Sequence, residues 1–190
     1  MNPVRQLFSK RHGTERGYVR HCLALLEYYS GSINAFNEVD WSNVDRVVFV
    51  CLGNICRSAY AHHYLATKHP QITVASLGLS TTTGVQANSL AIATAKLRDI
   101  DLMPHQTTNF SDFEVKPGDL FLTMEIRQAR RIHKQLADKS DVQIGLLGSY
   151  CVPPRPHLHD PFSLSEEYFQ TCFAHIEVAV DSLASKLSMS

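Results

Sequence analysis

VVFVCLGNICRSAYAHHYL, Val47 to Leu65, is the stretch on which the rest of the chain is organised. Val47 to Val50 read as a short buried strand. The strand runs directly into Cys51-Leu52-Gly53-Asn54-Ile55-Cys56-Arg57-Ser58, and helical spacing begins at Ser58. Cys51 and Arg57 thus bracket five residues at the join of strand and helix. A tight loop entering a helix turns backbone N–H groups inward, and the helix N-terminus adds partial positive charge. Such a nest holds a dianion. Gly53 is expected to supply a backbone angle that a side chain would resist. Arg57 offers a planar fork for two phosphate oxygens. The same field favours the thiolate of a cysteine at the loop entrance, so Cys51 would be both ionised and aimed at the bound phosphorus. A cysteine ending a buried strand is by itself an ordinary small hydrophobe. Cys, Gly, Asn, Arg and Ser at this spacing are not ordinary.

Outward from this loop, strands and helices alternate. Ala59 to Lys68 continues the helix as far as Pro70, Ile72 to Ala75 reads as a second strand delivering Ser76, and Leu90 to Leu97 is helical. Leu120 to Thr123 is a third strand, Ile126 to Leu136 a basic helix, and Val142 to Leu147 a fourth strand. Glu166 to Leu187 is a long amphipathic helix with Phe169, Phe173, Ile176, Val180, Leu183 and Leu187 as its inward stripe. This order predicts an α/β fold, a four-stranded parallel sheet with helices on both faces. Ligands on such sheets bind beyond the carboxyl ends of the strands, where the Cys51 loop falls.

Length and composition agree with a single domain plus an appendage. The chain has 190 residues, 44% of them hydrophobic, and equal numbers of acidic and basic side chains. No broad basic face points to nucleic acid or to an anionic membrane. Five cysteines do not form a disulfide framework, and no signal peptide or long apolar span is visible, so a soluble cytoplasmic protein is expected. Residues 1–45 form a helical N-terminal extension and 46–190 the main domain. Tyr18, Cys22, Leu23, Leu25, Leu26, Tyr28 and Tyr29 predict one helix with an apolar face ending near Gly31, preceded by Arg5, Lys10, Arg11, Arg16 and Arg20. The plainer reading of this helix is a solvated, charged face packed on the domain. The sharper one is a docking element or a homodimer contact. Trp41 is expected to anchor the link into the first strand.

Cys51 to Ser58 resembles the signature loop of the low-molecular-weight protein tyrosine phosphatases, in which the loop follows the first strand. Val74-Ala75-Ser76, Leu146-Leu147-Gly148-Ser149-Tyr150 and His159-Asp160-Pro161-Phe162 appear in that family's order. The resemblance covers Arg46 to Leu187 and implies a metal-independent hydrolysis of phosphotyrosine or other aryl phosphates through a cysteinyl-phosphate. Cys51 would be the nucleophile, Arg57 the phosphate clamp and Asp160 the general acid, later the base that activates water. Leu52, Gly53, Asn54, Ile55 and Cys56 would line the phosphate loop. Ser58 would donate to the Cys51 sulfur, Asn54 and Ser76 would fix the loop, and Phe162 would wall the aryl ring. Cys56 can in this family form a protective disulfide with Cys51. Cys22, Cys151 and Cys172 read as structural.

No cofactor or metal is expected: His62-His63 and His157/His159 lack zinc-ligand spacing. The chain departs from the family's usual pattern at Ala59 and His62 after the signature. Ser163 stands where a second tyrosine is common, and residues 80–83, Ser-Thr-Thr-Thr, replace a rim aromatic. Two alternatives stand beside phosphatase chemistry. One is a phosphate-binding module with little turnover. The other is an arsenate reductase, against which counts the absence of any cysteine between Cys56 and Cys151.

Overall fold

The computed structural model describes residues 3–189. Four strands, β1 (Arg46–Cys51), β2 (Val74–Gly78), β3 (Asp119–Thr123) and β4 (Gln143–Leu146), form one parallel sheet in the order β2-β1-β3-β4. β1 is central and apolar on both faces. Val47, Phe49 and Cys51 pack toward α3 (Arg57–Lys68), α4 (Ser89–Lys96) and α6 (Glu166–Leu187). Val48 and Val50 pack toward α5 (Ile126–Gln135) and toward Phe110 and Phe113. A strand covered on both sides needs such a continuous apolar run rather than an alternating one.

α6 has the bounds expected of it. Ser165 caps its start by accepting from the Tyr168 N–H, Glu166 and Glu167 occupy the first turn, and Lys186 the last. Its Phe173 ring stacks on Tyr60 of α3 at 3.8 Å between centroids. β2 begins at Val74 rather than Ile72, because Ile72 N–H closes a turn on the His69 carbonyl; Ser76 therefore lies inside the strand. The fourth strand stops at Leu146, and residues 147–150 wind into a short 3₁₀ turn.

The extension differs most from expectation. It contains two helices, α1 (Pro3–His12) and α2 (Glu15–Tyr29), separated at Gly13, whose φ of +74° breaks the helix. Thr14 caps α2 by accepting from the Gly17 N–H. The apolar stripe read from the sequence is split: Tyr18, Leu23, Leu26 and Tyr29 are exposed, Cys22, Leu25 and Tyr28 are half-buried with Tyr28 packed inward, and Gly17 and Ala24 are the buried residues. The small residues win the inward face because they let α2 approach closely. Ala24 packs with Ile33 and Phe36 against Ile126 and Ala129 of α5 and Leu146 of β4. Trp41 is an anchor as expected, edge-on to Tyr150 at 5.6 Å. Among the described residues no helix is long and apolar enough to cross a membrane.

Candidate active site

β1 ends at Cys51 and α3 begins at Arg57, so the intervening loop sits at the carboxyl edge of the sheet in front of a helix N-terminus. Cys51 is 3% exposed, and its sulfur is the focus of the loop's hydrogen bonds. It accepts from the Asn54 N–H at 3.2 Å and lies 3.0 Å from Ser58 Oγ. Ser58 Oγ already accepts from Asn54 Nδ2 at 2.8 Å, and its own proton has the sulfur at 3.0 Å as the nearer acceptor and the Leu77 carbonyl at 3.5 Å as the farther one. Donors thus converge on Sγ.

Asn54 is the knot of the loop. Its φ is +53°, in the left-handed region that asparagine tolerates better than most side chains. Nδ2 donates to Ser58 Oγ and, at 3.0 Å, to Ser76 Oγ; Oδ1 accepts from the Thr108 N–H at 3.0 Å. Its carbonyl bonds to His105 Nε2 at 2.7 Å. The expectation for Gly53 is corrected here: its φ lies outside the left-handed region, which Asn54 occupies instead. The turn is bought by side-chain anchoring rather than by a bare backbone; a Cβ on Gly53 would come within 3.3 Å of Ile55 Cγ1.

Arg57 is 1% exposed. Nη1 donates to Glu125 Oε1 and to the Leu158 carbonyl, each at 2.8 Å, and Nη2 donates to Asp160 Oδ2 at 2.6 Å. Nε is buried without a protein partner. Burial works against the guanidinium charge, but Asp160 and then Glu125 more than offset it and push the pKa above its ordinary value. For Glu125 burial alone would favour the neutral acid; the Arg57 charge, and hydrogen bonds from Arg57 and Arg127, hold its pKa at about 2 instead. Cys56 is buried, and burial followed by the Asp160 charge pushes its thiol pKa well up. No disulfide joins it to Cys51.

Asp160 accepts from the Phe162 N–H at 3.2 Å through its other oxygen. Pro161 between them restricts the backbone of Asp160. Cys51, Leu52, Gly53, Ile55, Cys56, Ser80, Asp160 and Phe162 line one cleft of about 180 Å³. The structure therefore gathers every residue singled out in the sequence: Cys51 and Asp160 face the same space, Arg57 bonds to Asp160, and Asn54, Ser58 and Ser76 support the loop. Phe162 is 52% exposed at the cleft rim, not a core aromatic.

Glu125, His62 and His105 were not anticipated. Glu125 lies two residues past the third strand, in Thr123-Met124-Glu125, and a carboxylate near a strand's carboxyl end was the available signal. His62 Nδ1 lies 3.1 Å from Ser76 Oγ, and burial lowers its pKa to about 4, so the ring is neutral. His105 joins the loop from 51 residues away in sequence, and nothing local marks it.

Fold and loop together define a class: α/β proteins that hold a phosphate-like anion between a strand and a helix, beside a cysteine. The family model described as low molecular weight phosphotyrosine protein phosphatase matches residues 46–190, and the chain belongs to that family. It is 31% identical over 147 residues to the low molecular weight protein-tyrosine-phosphatase Wzb of Escherichia coli K12, covering 76% of this chain and 96% of that protein. Among solved structures, Wzb of Escherichia coli K30 in complex with sulphate superposes with a TM-score of 0.65 at 26% identity, covering 76% of this chain and 99% of that one. Vibrio vulnificus Wzb in complex with benzylphosphonate gives 0.64 at 27% identity, covering 75% and 98%.

Proposed function

We propose that the chain hydrolyses aryl phosphate monoesters, phosphotyrosine in proteins foremost, through a cysteinyl-phosphate. Residues 46–190 would form the phosphatase domain and residues 1–45 an extension to it. The observation that carries the reading is that Cys51 and Asp160 line one cleft, with the buried Arg57 bonded to Asp160. The Cys51 thiolate attacks phosphorus, and the bond from phosphorus to the ester oxygen breaks. Asp160 gives that oxygen its proton. In the second step Asp160 takes a proton from water, whose oxygen attacks phosphorus; the S–P bond breaks, and inorganic phosphate leaves. Arg57 Nε, buried without a partner, suits one phosphate oxygen. A bound dianion replaces the Asp160 carboxylate on Nη2, and Asp160, taking up a proton as it leaves the guanidinium, then gives that proton to the leaving oxygen. Ser58 stabilises the sulfur before attack and as a leaving group. Bound sulphate and benzylphosphonate in the two Wzb structures support an anion site of this kind.

Five cysteines without disulfides are consistent with a reducing, cytoplasmic setting. The outward stripe of Val19, Leu23 and Leu26 on α2 is the surface a second copy would cover. A single-chain mass in solution, unchanged in Leu23→Glu/Leu26→Glu, would remove the homodimer.

The direct test is hydrolysis of p-nitrophenyl phosphate and a phosphotyrosine peptide with chelator present, for wild type and Cys51→Ser. Turnover insensitive to chelator and absent from the variant is expected. Binding of phosphate without turnover by the wild type, unaffected by Asp160→Ala, would replace the phosphatase with a binding module.

A further inference from the structure

The helical extension lies outside the residues matched to the family, yet its turn is packed against the segment that carries Asp160. Thr14 Oγ1, while capping α2, shares a hydrogen bond of 3.1 Å with Nε2 of His159, the residue immediately before Asp160. Gly17 sits against the same ring. A Cβ there would lie 2.5 Å from His159 Cδ2 and 2.7 Å from the His12 carbonyl, so no other residue fits without displacing one of them. A Cβ on Gly13 would meet Leu164 Cδ1 and Tyr168 Cε1 at 2.9 Å and His159 Cδ2 at 3.0 Å. Three positions of one turn therefore seat a single imidazole.

The far side of that ring is held by the domain itself. His159 packs at 5.9 Å from the Tyr168 ring and 5.7 Å from His157, and its carbonyl faces Cys172 Sγ at 3.7 Å. The hairpin is fastened at its other end: Glu27 of α2 pairs with Arg130 of α5, and α1 packs along α6. A charged, solvated helix pair has no need of two glycines and a capping hydroxyl aimed at one side chain of the acid loop.

We propose that the α1–α2 hairpin is a positioning element for the general acid: Thr14 and Gly17 clamp His159 and thereby hold the Asp160 carboxyl over the Cys51 loop. The proposal rests on Asp160 being the acid, so the test carries its own control. Full-length Thr14→Val, Thr14→Ser, Gly17→Ala and Asp160→Asn are compared by kcat/KM on phenyl phosphate, whose leaving oxygen needs a proton, and on 2,4-dinitrophenyl phosphate, whose leaving oxygen does not. The rate of Cys51 alkylation by iodoacetate is read alongside.

Asp160→Asn should separate the two esters widely. Thr14→Val should lose about fivefold on phenyl phosphate with the dinitrophenyl ester and the alkylation rate unmoved, the scale of one lost hydrogen bond. Thr14→Ser should restore the wild-type ratio. Gly17→Ala should act in the same direction, and Thr14→Val carries the test if that variant fails to fold. Equal losses on both esters, or none, in Thr14→Val while Asp160→Asn separates them would overturn the clamp alone. Asp160→Asn treating both esters alike would overturn the acid assignment and the clamp with it.

Discussion

Arg57 and Glu125 form a 2.8 Å ion pair in which both side chains are at most 2% exposed, and Glu125 stays ionised down to about pH 2. Removing one member of such a pair leaves the other charge buried and uncompensated. Glu125→Gln should cost about 3 kcal/mol of stability at neutral pH. The pH dependence has a definite sign. The folded pKa is depressed below the ordinary carboxylate value, so the contribution is complete above about pH 5 and is lost as pH falls toward 2. Urea unfolding of both proteins across that window should show their difference in stability shrinking with acid. A constant difference would mean that Glu125 stabilises by packing alone.

Arg57→Lys keeps the charge but not the fork. Lysine cannot reach Glu125, the Leu158 carbonyl and Asp160 together while leaving a donor for phosphate. Inorganic phosphate should inhibit more weakly, and kcat/KM on p-nitrophenyl phosphate should fall on the order of 100-fold. A variant within twofold of wild type would show that a point charge suffices.

Much of this site was legible from β1 onward because its chemistry is local. A buried strand, a short loop and a helix start occupy consecutive positions from Val47 to Ser58, so Cys51, Arg57 and Ser58 are brought together by the backbone itself. Ser76 and Asp160 required distant elements to meet the loop, and only resemblance to a family's order placed them. His105 and Glu125 bond to Asn54 and Arg57 across 51 and 68 residues, a closure no periodicity encodes. On α2 the pattern misled. Leu23, Leu26 and Tyr29 face outward because Gly17 and Ala24 allow a closer approach than Leu23 and Leu26 would, and Tyr28 alone of its large rings packs inward. Close packing by small residues leaves no hydrophobic stripe to read.

Ser58→Ala would leave the Cys51 sulfur with the Asn54 N–H as its remaining donor and Asn54 Nδ2 without one of its acceptors. Alkylation of Cys51 by iodoacetate should slow about tenfold, since one of the hydrogen bonds to the attacking sulfur is lost. Turnover should fall in parallel, because sulfur is both the attacking and the departing group. Slower turnover with unchanged alkylation would move Ser58 from the sulfur to the loop's shape.

Phe162 stands half exposed at the mouth of the cleft, opposite a rim where residues 80–83 carry no aromatic ring. Among the described residues it is the one ring lining the space above Cys51. An aromatic pair is worth about 0.5–1.5 kcal/mol beyond area burial, which is roughly two- to twelvefold in binding. Phe162→Ala should raise KM for a phosphotyrosine peptide by that factor and leave kcat within about twofold, since the ring touches no reacting atom. Inhibition by inorganic phosphate, which has no ring to stack, should not change. If phosphate inhibition weakens as much as peptide binding, the Phe162 side chain acts by shaping the loop that carries Asp160 and not as a wall. A KM that stays put would place aryl selectivity on Leu52 and Ile55 across the cleft.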